Sequence, residues 1–129
     1  MIASGHKKKL NTINDMTISE IAEKIEGQIV CCEEKTSTDL EFAFASDLMS
    51  DVLTVEKEKL VLITGLVNLQ AIRTSEMSDI GCIVFARDKK VSSDIISLAK
   101  ENKMVIIESP YSMFRISGEL YKSGIKPVY

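Results

Sequence analysis

Three short apolar runs in the second half of the chain constrain its fold more than any other feature. They read LVLI (60–63), CIVF (82–85) and MVII (104–107), and none alternates between apolar and polar residues. Such runs are typical of strands that are covered on both faces. A helical pattern follows each run, so the order of elements predicts a parallel sheet between two layers of helices. We expect an α/β fold with a single three-layer α/β/α domain and a mostly parallel sheet.

The first half of the chain supplies the remaining elements. Gln28–Cys32 is predicted to be a strand of the same sheet. Leu40–Phe44 alternates apolar with polar or small residues, which favours a half-covered strand at an edge of the sheet. Thr17 and Glu20 have the spacing of a capping box at the first helix. Residues 1–15 show no periodicity, so we expect a disordered tail followed by a domain over residues 16–129.

Polar residues mark the predicted starts of the later helices. Ser46 is placed to begin one helix, Asn68 the next and Ser109 the last, because these side chains accept hydrogen bonds from the free N–H groups of a first turn. Pro110 would then occupy the first helical position, where its missing N–H costs nothing. Met77 falls on the predicted core face of the helix that Asn68 begins.

Composition excludes several classes of protein. The net charge of −3 gives no basic field for nucleic acid, although the three lysines of the tail leave a nucleic-acid-binding arm as an alternative. No apolar run approaches the roughly 20 residues of a membrane helix. The amino end lacks the apolar core of a secretory signal. The 3 cysteines do not form a disulfide framework, so we expect a reduced, cytoplasmic protein.

The chain carries no recognisable catalytic chemistry. The only histidine, His6, lies in the tail, which argues against a histidine base or a histidine-rich metal site. Cys31 and Cys32 are neighbours in a predicted strand, so their side chains are expected on opposite faces and unable to hold one metal together. Neither GxxxxGK[ST] nor GxGxxG is present. We therefore expect no catalytic residues, no metal, no cofactor and no enzymatic activity.

The turn after the LVLI strand is the candidate ligand site. Thr64 and Gly65 lie at the carboxyl end of a predicted parallel strand, where ligands bind in open α/β sheets. The following helix has free N–H groups at its start, which favour anions. The candidate set comprises Ser46, Asp47, Thr64, Gly65, Asn68, Gln70 and Arg73, with Thr64 and Asn68 as donors and Arg73 supplying positive charge. A purely structural role is the alternative, with ordinary caps, an ordinary turn and a surface ion pair from Arg73 to Glu76 or Asp47.

Two stretches, FASDLMSDVL (44–53) and LVLITGLVNLQAIRTSEMSDIGCIVFARDKK (60–90), together resemble the DRTGG domain. This small α/β module occurs alone, beside CBS domains in some pyrophosphatases, and before the catalytic part of some phosphotransacetylases. It is similar in fold to the non-catalytic amino-terminal domain of HPr kinase/phosphorylase. The resemblance runs from about Met16 to Gly124 and implies a non-catalytic regulatory module acting as a dimerisation or docking unit. The alternative is a sensor that binds a small phosphorylated or nucleotide-like ligand at the Thr64–Arg73 turn and helix.

The chain departs from the family pattern just before the ASDL motif. The Asp-Arg-Thr-Gly-Gly segment corresponds to STDLEFAFASDL (37–48), which lacks the paired glycines. Bulky residues stand there instead, and Phe42, Phe44 and Met49 are the candidate contacts of a homodimer. The family modules usually pair, and a two-fold contact is the commonest closed assembly. The expected partners are a second copy, another protein or a small phosphorylated ligand.

Overall fold

The computed structural model describes residues 15–129, so the predicted tail lies outside the described residues apart from Asp15. The strands are β1 (Met16–Thr17), β2 (Gln28–Cys31), β3 (Asp39–Leu40), β4 (Phe42–Ala45), β5 (Leu60–Thr64), β6 (Cys82–Phe85), β7 (Val105–Glu108) and β8 (Lys126–Pro127). The helices are α1 (Ile18–Lys24), α2 (Met49–Val52), α3 (Leu69–Met77), α4 (Ser93–Glu101) and α5 (Met113–Lys122), with a 3-10 turn at Glu33–Lys35. Within the described residues no helix has the length and apolar character needed to cross a membrane.

Six strands form one sheet in the order β2, β7, β6, β5, β4, β8. All neighbours in this sheet are parallel except β2, which pairs antiparallel with β7. The β2–β7 register shifts between Ile29 and Cys31. β1 and β3 form a separate antiparallel pair. The predicted mostly parallel sheet is confirmed.

Helices cover both faces of the sheet. Val61 and Ile63 of β5 pack in one core cluster with residues of α1 and α5. Leu60 and Leu62 of the same strand pack in the other cluster with residues of α2, α3 and α4. Because successive side chains of a strand point to opposite faces, a strand buried on both sides is apolar throughout, as LVLI is. The three-layer α/β/α prediction is confirmed.

The prediction that Leu40–Phe44 forms a strand at the edge of the sheet is wrong in both position and extent. Leu40 belongs to β3 and pairs with Met16 of β1. β4 lies inside the sheet, between β5 and β8, because Lys126–Pro127 pairs with its first two residues. The alternation of bulky and small residues in β4 arises from its two unequal faces. Ala43 packs on the side of the sheet that α1 and α5 cover, and Phe44 packs on the side that α2, α3 and α4 cover.

Two predictions about α2 and α3 are wrong. Ser46 does not cap α2, whose N-cap position is Leu48 without a side-chain hydrogen bond. The Ser46 hydroxyl instead accepts a hydrogen bond from the Leu48 N–H at 3.0 Å, which shapes the loop before the helix. Met77 is 68% exposed rather than buried, because it is the last residue of α3 and lies beyond the helix face that meets the sheet.

The start of α5 also differs from the prediction. Ser112 caps the helix by accepting a hydrogen bond from the Arg115 N–H at 3.1 Å. Ser109, predicted to be this cap, is fully buried, and its hydroxyl donates to the Ile25 carbonyl at 2.7 Å. Ser109 therefore ties the loop after β7 to the end of α1, and the helix begins three residues later than its sequence signal.

Candidate functional site

The carboxyl ends of β4, β5 and β6 meet at one edge of the sheet because these strands are parallel neighbours. Asp47 follows β4 by two residues, Thr64 ends β5, and the loop 86–90 follows β6. The fold thus brings together part of the predicted set with a loop that the prediction left out. This is the edge at which open parallel sheets bind their ligands.

The Asp47 carboxylate joins the ends of β4 and β5. Its Oδ1 accepts a hydrogen bond from Thr64 Oγ1 at 2.9 Å and another from the Gly65 N–H at 2.7 Å. Thr64 has no exposed surface, and its Oγ1 also accepts from the Leu66 N–H at 3.1 Å. The single hydroxyl proton of Thr64 is therefore used inside the protein. In this arrangement Thr64 donates to Asp47 and positions that carboxylate, rather than donating to a ligand.

Lys89 supplies the positive charge at the Gly65 turn. Its Nζ donates to the Gly65 carbonyl at 2.6 Å. A Cβ placed on Gly65 would lie 3.5 Å from this Nζ and 3.6 Å from each Asp47 carboxylate oxygen. The absence of a side chain therefore leaves space between the ammonium and carboxylate groups. Sequence reasoning missed Lys89, although the run RDKK, one residue after the CIVF strand, was the available signal.

The loop that carries Lys89 has an unusual backbone. Arg87 and Asp88 are both left-handed, with φ of 66° and 59°. Their N–H groups donate at 2.8 Å to the carbonyls of Tyr111 and Ser109, respectively, which fixes the loop against the start of α5. Consecutive left-handed residues that are not glycine are energetically unfavourable, so these bonds hold the loop in its position.

Lys90 is also held, by two carboxylates. Its Nζ lies 3.4 Å from Asp88 Oδ1 and 3.6 Å from Glu108 Oε1. The hydrogen bond that Lys90 donates to Asp88, together with the charges of both carboxylates, raises the pKa of Lys90. Glu108 additionally accepts a hydrogen bond from the Val91 N–H at 2.9 Å. Two carboxylates offset the charge of Lys90, whereas Lys89 has only a carbonyl as its hydrogen-bond partner among residues 15–129.

The remaining predicted site residues are less closely associated with this turn. Asn68 caps α3, since its Oδ1 accepts from the Ala71 N–H at 2.9 Å. Gln70 and Arg73 are exposed on the first two turns of the helix. Within residues 15–129 Arg73 forms no ion pair, so neither of the two salt bridges considered for it is present.

The predicted dimer contacts are largely used within the subunit. Met49 is 5% exposed and packs in the core, so the prediction that it contacts a partner is wrong. The ring of Phe44 meets Tyr129 edge to face, with 6.2 Å between centroids. The Lys57 Nζ lies 5.0 Å from the centroid of the Phe42 ring. Phe42 and Phe44 are thus half-buried by contacts of their own chain.

An apolar groove lies on the face of β4 that meets α5, opposite the face that carries Phe42 and Phe44. It has a volume of about 300 Å³ and separates α5 from the β4–β8 edge of the sheet. Its lining includes Ala43, Ala45, Phe114, Gly118, Tyr121 and Pro127. Phe114 is 88% exposed and Tyr121 is 69% exposed. Two large exposed rings therefore lie beside an apolar groove on this face of the protein.

The two adjacent cysteines do not point to opposite faces, which corrects that expectation. Cys32 has left the strand and adopts a left-handed backbone with φ 61° and ψ 45°. This conformation turns its thiol toward that of Cys31, and the two Sγ atoms lie 3.3 Å apart. Residues 15–129 contain no group of three or more histidine, cysteine, aspartate or glutamate residues arranged to hold a metal ion.

Comparisons with known proteins identify the family. The structure of the CBS and DRTGG domains of the regulatory region of Clostridium perfringens pyrophosphatase, complexed with the activator diadenosine tetraphosphate, superimposes with a TM-score of 0.69 at 16% identity. The match covers 84% of this chain and 47% of that chain, so this chain spans about half the length of that structure. A search of curated proteins gave no significant match. The DRTGG domain family model matches residues 20–123. This chain therefore belongs to the DRTGG domain family.

Proposed function

We propose that this chain is a non-catalytic regulatory module that pairs with a second copy of itself through α5. The observation that carries the proposal is the exposure of Phe114 and Tyr121 on a single helix beside an apolar groove. The regulatory part of the proposal is supported by the pyrophosphatase, in which a DRTGG domain belongs to a regulatory region. The α5 surface replaces Phe42, Phe44 and Met49 as the dimer contact, because Met49 lies in the core and the two rings are half-buried by their own chain.

The spacing of residues on α5 suits a two-fold contact. Phe114, Gly118 and Tyr121 are related by four and three positions, so they form one stripe along the helix. A Cβ on Gly118 would have no atom within 4 Å, so a second helix can approach closely there. A two-fold axis at Gly118 places Phe114 of each copy against Tyr121 of the other. Such a contact is isologous and closes at two subunits.

Burial of the aromatic rings provides the driving force. Complete burial of a phenylalanine side chain contributes about 1.5–3 kcal/mol, and the two-fold axis uses each ring twice in the dimer. The small side chains of Ala43 and Ala45 leave room for the Phe114 ring of the second copy in the groove. Glu119 and Lys122 already pair within the helix at 3.6 Å, so neither places an uncompensated charge in the contact.

Light scattering on the wild type and two variants tests the pairing. At tens of micromolar we expect the dimer mass for the wild type and a monomer mass for Phe114→Ala. Met77→Ala is the matched control, because Met77 is also a large exposed apolar residue but lies on α3. It should leave the mass unchanged. A monomeric wild type, or a Phe114→Ala protein as dimeric as the wild type, contradicts the proposal.

A second candidate function is the sensing of a small phosphorylated ligand at the Gly65 turn. The observation that favours it is the Lys89 ammonium group, which lies beside a glycine and near the amino end of α3. The pyrophosphatase regulatory region was complexed with a dinucleoside tetraphosphate, which is a ligand of this chemical class. In this function the missing side chain of Gly65 leaves space for the ligand, Asn68 and Gln70 offer amide groups, and Lys89 supplies the main charge in place of Arg73.

Titration calorimetry with nucleotides and sugar phosphates tests the sensor function. Lys89→Ala should weaken binding by about 1.5–3 kcal/mol, the range for a hydrogen bond to a charged group, and Arg73→Ala should weaken it less. Lys100→Ala is the control, since this exposed lysine lies in the last turn of α4, just before β7 begins and away from the carboxyl ends of the parallel strands. Absence of binding to the wild type at millimolar concentration eliminates the sensor function and leaves the dimer proposal unaffected.

A further inference from the structure

The paired thiols of Cys31 and Cys32 lie outside both surfaces discussed so far. Cys31 ends β2, and Cys32 precedes the 3-10 turn at Glu33–Lys35. Cys31 belongs to the apolar cluster between the sheet and α2, α3 and α4, and Cys32 packs against this cluster and against the cluster on the other side of the sheet. The Cys31 thiol also approaches the Ile96 carbonyl of α4, at 4.0 Å. Two sulfur atoms therefore lie next to each other at the end of an edge strand, in mainly apolar surroundings.

We propose that Cys31 and Cys32 form a binding site for a trivalent arsenical, held by both sulfur atoms as a chelate. Thiolate sulfur is a soft ligand and selects soft, thiophilic centres. If each sulfur lies about 2.3 Å from a shared centre, as in zinc–thiolate bonds, the observed 3.3 Å separation gives an angle of about 90° at that centre. Trivalent arsenic is pyramidal, and its bond angles are close to a right angle.

The same geometry argues against the other occupants of a dithiol. Zinc requires about four ligands in a tetrahedron, and residues 15–129 offer no third histidine, cysteine or carboxylate here. A linear two-coordinate metal would need the sulfur atoms about 4.6 Å apart, twice the metal–sulfur bond. Disulfides have a sulfur separation of about 2.05 Å, and most have Cα atoms about 4.4–6.8 Å apart. Adjacent residues joined by a trans peptide have Cα atoms only about 3.8 Å apart.

The binding reaction balances without an oxidant. A hydrated organoarsenical, R–As(OH)₂, reacts with the two thiols to give R–As(S)₂ and two molecules of water. Two arsenic–oxygen bonds break and two arsenic–sulfur bonds form, while each thiol proton leaves on a departing hydroxyl group. Arsenic remains trivalent throughout. The product carries no net charge, so it can occupy apolar surroundings without the cost of burying an ion.

The two thiols have different roles in this reaction. Cys32 is half-buried and is the more accessible of the two residues, whereas Cys31 is 2% exposed. Cys32 therefore attacks first, and Cys31 closes the chelate from 3.3 Å away. Burial, reinforced by the neighbouring Cys32, raises the pKa of the Cys31 thiol to about 12. As the second arsenic–sulfur bond forms, the Cys31 thiol delivers its proton to the second leaving hydroxyl group.

Phenylarsine oxide tests the site on the reduced, full-length chain. Native mass spectrometry should show one adduct per subunit, and thiol titration should show the loss of two free thiols. The adduct should persist in excess monothiol and be removed by a small dithiol. Cys32→Ser should weaken binding by about a hundredfold or more, because the second bond of a chelate forms at high effective concentration.

Cys82→Ala is the matched control, since Cys82 is fully buried in β6 and lies in the other core cluster. This variant should bind as the wild type does. Cys31→Ala should behave as Cys32→Ser, and its folding is checked by urea unfolding because Cys31 is buried. The proposal fails if the wild type forms no adduct, or if Cys32→Ser binds phenylarsine oxide as tightly as the wild type does.

Discussion

Replacing Asp47 by alanine should destabilise the fold more than its position in an exposed loop implies. The change removes the acceptor of both the Thr64 hydroxyl and the Gly65 N–H. Gly65 is half-buried, so its N–H can bond to water after the change. Thr64 has no exposed surface, so its hydroxyl proton loses its acceptor without replacement, although the oxygen still accepts from the Leu66 N–H. The ends of β4 and β5 also lose their side-chain connection.

The size of the effect follows from these two bonds. Hydrogen bonds to a charged group are worth about 1.5–3 kcal/mol each, and solvent screening at an exposed carboxylate reduces this value. A buried hydroxyl left without a partner costs about 1–3 kcal/mol. We therefore expect Asp47→Ala to lower the free energy of unfolding by about 2–3 kcal/mol. Asp47→Asn keeps an acceptor oxygen and should cost about 1 kcal/mol.

Urea unfolding at pH 7 and a fixed protein concentration measures both variants. Asp51→Ala is the control, because Asp51 is an exposed carboxylate in the nearby helix α2, and it should stay within about 0.5 kcal/mol of the wild type. A double-mutant cycle with Thr64→Val should give a coupling of about 1 kcal/mol for the bond between these two side chains. If Asp47→Ala is no more destabilising than Asp51→Ala, the carboxylate does not join the strands.

Three further predictions concern the core and its pH dependence. Gly27→Ala should destabilise by about 1–3 kcal/mol, because the added Cβ would overlap Ile107 Cγ2. Ser109→Ala should cost about 1–3 kcal/mol, because the buried hydroxyl donates to the Ile25 carbonyl. Burial raises the pKa of Cys82 from 9.0 to about 12. The unfolded thiol therefore ionises first as the pH rises, and the wild type should lose about 1.4 kcal/mol relative to Cys82→Ala between pH 8 and 10.

Urea unfolding with matched controls checks these three predictions. Gly81→Ala should have little steric effect, because a Cβ there would meet no atom within 4 Å. Ser93→Ala changes an exposed serine whose hydroxyl forms no hydrogen bond with residues 15–129. An equal loss of unfolding free energy in Gly27→Ala and Gly81→Ala contradicts the packing argument. An equal loss in Ser109→Ala and Ser93→Ala contradicts the hydrogen-bond argument. A constant difference between wild type and Cys82→Ala across pH 8–10 contradicts the burial argument.

The core of the fold was predictable because its central strands consist almost entirely of apolar residues. LVLI, CIVF and MVII have no polar face, and each lies within or overlaps a central strand buried on both sides. The edge of the sheet was not predictable in the same way. Lys126–Pro127 forms only a two-residue strand, and such a short segment has no periodicity to detect. The sequence therefore predicts β4 at the edge of the sheet, a position that β8 occupies.

Helix starts were ambiguous because capping residues are common in loops. Ser109 and Ser112 both precede α5, and only tertiary packing decides that Ser109 bonds to Ile25 and Ser112 caps the helix. The charge at the candidate site illustrates the same limit. Arg73 is close to the turn in sequence, but Lys89 reaches it from the loop of the neighbouring strand. Strand order, which sequence spacing alone does not give, determines which side chain is near.

The two outermost strands limit how copies of this domain can associate. β8 exposes a lysine and a proline, and proline has no N–H to offer to another strand. At the other edge, the register shift in β2 interrupts the row of backbone groups. Both features are known to prevent edge-to-edge aggregation of sheets. The sheet thus resists lengthening by strands from neighbouring molecules, which is consistent with a proposed contact through a helix and not through a strand.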